Sequence, residues 1–71
     1  MMHLTDQERN TLWAVALGLV KWVFDADADV VWMMGDINVT DTITSLENLY
    51  LVEEDIWDEV VRITDQGREQ L

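Results

Sequence analysis

The chain is 71 residues long, contains no cysteine or proline, and carries 15 acidic against 4 basic side chains, a formal net charge of −11. This length predicts one small domain over residues 1–71 and excludes a two-domain enzyme with a substrate cleft. We therefore predict no enzymatic activity, no catalytic residue, no metal and no cofactor. The charge excludes a sequence-blind nucleic-acid binder and attraction to an anionic membrane, because both depend on Lys and Arg.

The first predicted element is a long helix. Thr5-Asp-Gln-Glu8 is a capping box, and the apolar run Leu12–Phe24 extends the pattern, so we predict a helix from about Asp6 to Phe24. Thirteen residues are too few to span a bilayer, which needs ~20. The first ten residues have no basic region of a signal peptide, which favours a cytoplasmic protein.

This helix would be apolar on two faces. Because a small domain has little material to bury both faces, one of them predicts a homodimer interface. The alternative is that the rest of the chain wraps around the helix. The residues of the second face are Leu12, Val15, Leu19 and Trp22.

An acidic segment separates this helix from the next element. Asp25, Asp27 and Asp29 have the spacing of the first ligands of an EF-hand loop, but Val30 stands where that loop needs glycine. We interpret them as a solvated cluster at the start of a short helix over Val30–Met34, with Gly35 after it.

The second half of the chain predicts a helix, a hairpin and a last short helix. Ile43, Leu46 and Leu49 form the inner face of a helix from about Thr40 to Leu49. Two short strands, 50–53 and 59–63, flank an acidic turn, and Thr64-Asp65 can cap a helix that ends at Leu71. The predicted fold is mainly α with a small β-hairpin.

The order of these segments and their residues resemble the winged helix-turn-helix family. The resemblance is carried by Leu4-Thr-Asp-Gln-Glu8, Gly35-Asp-Ile-Asn38, Leu46-Glu-Asn-Leu-Tyr-Leu-Val-Glu53 and Arg62-Ile-Thr-Asp-Gln-Gly-Arg-Glu-Gln-Leu71. It implies three helices plus a wing, with helix 40–49 in the major groove of DNA and the 50–63 wing on its backbone. The implied DNA-binding residues are Thr40, Thr42, Thr44, Ser45, Asn48 and Arg62.

The charge pattern departs from that family. No Lys, Arg or His occurs from Asp25 to Val61, and this window holds eleven acidic residues, the whole net charge. Two interpretations remain open: the window binds a basic protein partner, as a nucleic-acid mimic from a virus or mobile element would, or the chain is a DNA-binding regulator of a halophilic organism or its virus. A third is an assembly piece that dimerises through its first helix. The predicted partner-binding residues are Asp41, Glu47, Glu53, Glu54, Asp55, Trp57, Asp58 and Glu59.

Overall fold

The computed structural model describes residues 3–71. Within them the chain forms three helices and five strands, about 35% helix and 29% strand, with the strands in two antiparallel sheets. The prediction of a mainly α winged helix-turn-helix is therefore wrong, and the fold is α+β. The elements are α1 (Asp6–Ala16), β1 (Val20–Phe24), β2 (Val30–Met34), β3 (Ile37–Asn38), α2 (Thr40–Asn48), β4 (Val52–Asp55), β5 (Val60–Ile63) and α3 (Asp65–Arg68).

The first helix begins as predicted but ends early. The Thr5 side chain accepts from the Glu8 backbone N–H at 3.0 Å, and the Glu8 carboxylate accepts from the Thr5 N–H at 2.9 Å, which confirms the capping box. The helix stops at Ala16, and Gly18 follows with φ of +73°. A glycine in this conformation ends helices, and the β-branched and aromatic residues after it favour a strand. The predicted continuation to Phe24 is wrong.

The early end of α1 removes the second apolar face on which the homodimer was predicted. Leu12 and Val15 are buried in the core of the same chain. Leu19 lies after the helix and is exposed, and Trp22 lies on β1, packed edge to face on Trp32 with ring centroids 5.5 Å apart. These four side chains therefore do not form one exposed helix face.

The first sheet has the order β1-β2-β3. The residues predicted as a second helix form β2 instead, paired along its whole length with β1 in a register that sets Trp22 opposite Trp32. A short apolar run is compatible with either a helix or a strand, and here pairing with β1 stabilises the strand. The aspartates 25, 27 and 29 lie in the hairpin turn rather than at a helix start.

The second half of the chain agrees with prediction to within two or three residues. Helix α2 is followed by the two-stranded sheet β4-β5, and the Thr64 hydroxyl accepts from the Gly67 N–H at 2.9 Å to cap α3, which is only four residues long. A methyl group on Gly67 would collide with the Leu51 carbonyl and with Ile63. Gly67 is thus required for α3 to pack at the base of this hairpin.

One core links α1, α2 and the strands β1, β2, β4 and β5. Its fully buried side chains include Leu12 of α1, Ile43 and Leu46 of α2, and Leu51 before β4. Among residues 3–71 the longest helix has 11 residues, and none is long and apolar enough to cross a membrane.

Trp32 connects the first sheet to the second half of the chain. Its backbone N–H donates to the Thr40 hydroxyl at 2.9 Å, and its carbonyl accepts from the Val39 N–H at 2.8 Å. Its indole Nε1 donates to the Glu54 carboxylate at 2.7 Å. Hairpin β1–β2 is therefore fixed to both α2 and β4.

Candidate protein-binding site on the second hairpin

The turn between β4 and β5, Ile56–Glu59, is named here the hairpin tip. The Asp55 carboxylate accepts from the backbone N–H groups of Trp57 and Asp58, both at 3.1 Å, and Glu59 adopts a positive φ of 56°. An aspartate that accepts from the following backbone in this way holds a turn in one conformation. The tip is thus ordered by its own sequence.

Arg62 stabilises the same turn from β5. Its Nη2 lies 2.8 Å from Asp58 Oδ2 and 3.5 Å from Asp55 Oδ2. The pKa of Asp55 is lowered, chiefly by the Asp58 N–H. The Trp57 N–H and the Arg62 guanidinium lower it further, and together these effects exceed the opposing effect of desolvation. Arg62 therefore neutralises acidic groups of its own chain, a role that sequence reasoning did not assign to it.

The hairpin tip presents two apolar side chains to solvent. Trp57 is 90% exposed and Ile56 is 61% exposed. The sequence left open whether Trp57 packs on the core, and the structure places it fully outside. Exposed tryptophan surrounded by polar residues is typical of the residues that dominate binding energy at protein interfaces.

The eight predicted partner-binding residues do not all lie at the hairpin tip. Glu53, Trp57, Asp58 and Glu59 are exposed on or beside the tip, and Asp55 holds its turn. Asp41 is exposed on a different element, in the first turn of α2.

The other two predicted residues, Glu47 of α2 and Glu54 of β4, form a carboxyl pair in which Glu47 is half-buried and Glu54 is exposed. Glu54 accepts from the Trp32 indole, and the Glu47 carboxyl lies close enough to Glu54 for the two charges to interact. The pKa of Glu47 is raised, first by desolvation and then by the charge of Glu54. These two acids contribute to packing between α2, β2 and β4 as well as to the negative field.

The residues implied to contact DNA are mostly engaged within the chain. The Thr40 hydroxyl accepts from Trp32, the Thr44 hydroxyl donates to the Thr40 carbonyl at 3.1 Å, and Arg62 is paired with Asp58. Thr42 is half-buried. Of the six implied residues, Ser45 and Asn48 are the ones that are exposed without such a contact among residues 3–71.

The turn of the first hairpin holds a second group of carboxylates. Oxygen atoms of Asp25, Asp27 and Asp29 lie within 4.8 Å of one another, all exposed. Asp25 Oδ1 already accepts from the N–H groups of Asp27 at 2.9 Å and Asp29 at 3.0 Å. These bonds explain the cluster as a feature of the turn.

No protein-family model, no curated protein and no solved structure matches this chain. Its function therefore has to be argued from its own residues.

Proposed function

We propose that this chain is a small acidic module that binds a basic protein partner through the hairpin tip. The observation that carries the proposal is Trp57, 90% exposed on a turn that Asp55 and Arg62 hold in place. A turn whose backbone is already ordered loses little conformational entropy on binding, so an exposed aromatic side chain on it can contribute more of its contact energy.

The charge around the tip selects the partner. Glu53, Asp58 and Glu59 are exposed beside Trp57, within a window that holds eleven acids and no base. Complementary charge accelerates encounter and rejects partners of like sign. A surface rich in Lys and Arg with an apolar pocket, as on proteins that bind nucleic acid, matches this tip, and occupying that surface would make the chain a nucleic-acid mimic.

A second function, DNA binding at high salt, is supported by one observation. Helix α2 exposes Ser45 and Asn48, side chains that can contact bases or phosphates. At 1 M salt the screening length falls to ~3 Å, which would remove most of the repulsion from the acidic window. The pairing of Arg62 with Asp58 argues against this function, because it engages the one cation of the second hairpin that could otherwise contact a phosphate.

The two functions are separated by titrating the protein into three labelled probes and following fluorescence anisotropy. The probes are a blocked peptide of alternating Arg and Leu, the same peptide with Gln for Arg, and a 20-base-pair DNA duplex, each measured from 50 mM to 2 M KCl. We expect binding to the Arg peptide alone, weakening as salt rises. Equal affinity for the Gln peptide would contradict the proposal, and DNA binding that strengthens with salt would support a regulator instead.

The matched variants test the tip itself. Trp57→Ala should weaken binding of the Arg peptide at least tenfold, while Phe24→Ala, at the exposed end of β1 in the other hairpin, should change it less than twofold. Glu53→Gln and Glu59→Gln together should reduce the salt dependence. If Trp57→Ala and Phe24→Ala bind equally, the hairpin tip is not the binding site.

A further inference from the structure

We infer that the ion pair between Arg62 and Asp58 is an autoinhibitory contact, in which Arg62 occupies a carboxylate beside Trp57 that an arginine of the partner would otherwise bind. This inference rests on the proposed function, because it concerns the same hairpin tip. Arg62 is the only base between Lys21 and Arg68 in the sequence. The one cation of the second hairpin thus lies at the site that we propose for a basic partner.

The Asp55 carboxylate divides its two oxygens between the turn and Arg62. Its Oδ1 accepts from the backbone N–H groups of Trp57 and Asp58, both at 3.1 Å. Its Oδ2 lies 3.5 Å from Arg62 Nη2. Within the described residues, the Asp58 carboxylate accepts a hydrogen bond from Arg62 alone. Release of the guanidinium therefore frees one oxygen of each carboxylate and leaves both backbone bonds of the turn in place.

The contact between Arg62 and Asp58 is open to solvent and simple in geometry. The Arg62 side chain is 53% exposed and the Asp58 side chain is 62% exposed. A single atom, Nη2, makes both close approaches, 2.8 Å to Asp58 and 3.5 Å to Asp55. Exposed ion pairs contribute little to stability, and a guanidinium binds a carboxylate more strongly through two parallel hydrogen bonds. An arginine of the partner that uses two nitrogens can therefore replace Arg62.

Arg62 has a second carboxylate within reach when it leaves Asp58. Strand pairing sets Arg62 directly opposite Glu53. Glu53 is exposed and makes no ion pair with any of residues 3–71. Opposite charges that face each other across two paired strands attract, so a move to Glu53 would offset part of the lost bond to Asp58. The tip thus has a closed state with Arg62 on Asp58 and an open state with Arg62 on Glu53.

The size of the effect follows from how often Arg62 occupies Asp58. The apparent affinity of a binding site falls in proportion to the fraction of molecules in which the site is free. If Arg62 holds Asp58 in about two-thirds of the molecules, its removal strengthens binding about threefold. The autoinhibition is therefore a modest reduction of affinity, which a partner with an arginine overcomes.

The test measures binding of the labelled peptide of alternating Arg and Leu at 50 mM KCl. Arg62→Gln should bind this peptide about threefold more tightly than the protein without substitutions. Arg9→Gln makes the same change of net charge at another exposed ion pair, 3.7 Å from Asp6, and should change the affinity far less. The ¹⁵N NMR amide signals of Trp57 and Asp58 should show that the turn is kept in Arg62→Gln.

Two further measurements make the assignment specific to Asp58. In an Asp58→Asn background, Arg62→Gln should give no gain in affinity, because the carboxylate for which the two cations compete is absent. Unlabelled peptide added to the ¹⁵N-labelled protein should shift the Nε–Hε signal of Arg62, which is released, and leave that of Arg9 in place.

Three results would overturn the inference and leave the proposed function standing. In the first, Arg62→Gln binds the peptide no more tightly than Arg9→Gln does, while Trp57→Ala still weakens binding. In the second, the gain of Arg62→Gln persists in full in the Asp58→Asn background, so that it reflects net charge alone. In the third, the turn of Arg62→Gln is disordered, so that Arg62 is part of the turn itself.

Failure of the proposed function gives a different result. In that case neither the protein without substitutions nor Arg62→Gln binds the Arg peptide, and the inference fails together with the function. Binding by Arg62→Gln alone would instead support the inference, with Arg62 closing the tip in nearly every molecule.

Discussion

The two hairpins of this protein use the same turn device in different surroundings. Asp25 directly follows β1 and Asp55 is the last residue of β4. Each accepts from two backbone N–H groups of the turn. The turn after Asp25 contains two further aspartates and no cation, whereas the turn after Asp55 lies beside Arg62. A single arginine therefore distinguishes a turn held by backbone contacts alone from one held also by an ion pair.

The hairpins also differ in where their tryptophans lie. Trp22 and Trp32 of β1–β2 pack against each other inside the fold, and Trp57 of β4–β5 stands in solvent. Buried aromatic pairs contribute to stability, whereas an exposed one contributes almost nothing until a partner covers it. The first hairpin thus uses its tryptophans in the fold, whereas the second leaves Trp57 available for the partner that we propose.

The largest expected effect comes from removing the buried tryptophan. Trp32→Ala should lower the free energy of unfolding by about 3–5 kcal/mol, because it leaves a cavity and removes the hydrogen bond to Glu54. A domain of this size has little stability to lose, so much of the variant should be unfolded at 25 °C. Urea unfolding followed by far-UV circular dichroism measures the loss.

Trp57→Ala is the control for that measurement. Since Trp57 is 90% exposed, its removal should change the free energy of unfolding by no more than about 0.5 kcal/mol. Similar losses for Trp32→Ala and Trp57→Ala would contradict the division of roles between the hairpins.

A smaller effect separates the two turn aspartates. The pKa of Asp55 in the folded protein is below its ordinary value of 3.8, so this group stabilises the fold above that pH and the stabilisation is lost as pH falls through the folded pKa. Asp55→Asn should lower the thermal midpoint at pH 7 and flatten the pH dependence below pH 4. Asp25 has no neighbouring arginine, so Asp25→Asn should lower the thermal midpoint less than Asp55→Asn does. A larger loss for Asp25→Asn would show that Arg62 does not make the second turn more stable than the first.

The smallest expected effect concerns the carboxyl pair of Glu47 on α2 and Glu54 on β4. The pKa of Glu47 is raised above 4.5, so its contribution to stability is present below that pH and is lost as pH rises through the folded pKa. Glu47→Gln should therefore stabilise the protein at pH 7, by less than about 1 kcal/mol because the site is mostly exposed. Thermal unfolding at pH 4 and pH 7 measures this stabilisation, with Glu53→Gln as the matched control. An equal rise of the thermal midpoint of Glu47→Gln at both pH values would contradict an origin in the raised pKa of Glu47.

Local sequence signals predicted the elements whose ends they mark. The capping box at Thr5 and the cap at Thr64 gave correct starts for α1 and α3, and the spacing of Ile43, Leu46 and Leu49 gave α2. The acidic turn between β-like runs gave the second hairpin. These signals act over three to six residues, so they do not depend on the rest of the fold.

The first hairpin was missed because its deciding interactions are not local. The run Leu12–Phe24 is apolar at nearly every position, so periodicity alone did not separate a helix from a helix followed by a strand. The end at Ala16 depends on the conformation of Gly18 and on pairing of β1 with β2.

The three bonds of Trp32 have a consequence for the order in which the chain folds. Each hairpin can close by itself within microseconds, because its strands are joined by short turns. Trp32 and Glu54 are 22 residues apart in sequence, so we expect their bond to form after the shorter-range contacts within each hairpin. The bond then couples the two hairpins, and we expect the β2 and β4 amides to exchange their hydrogens at one common rate.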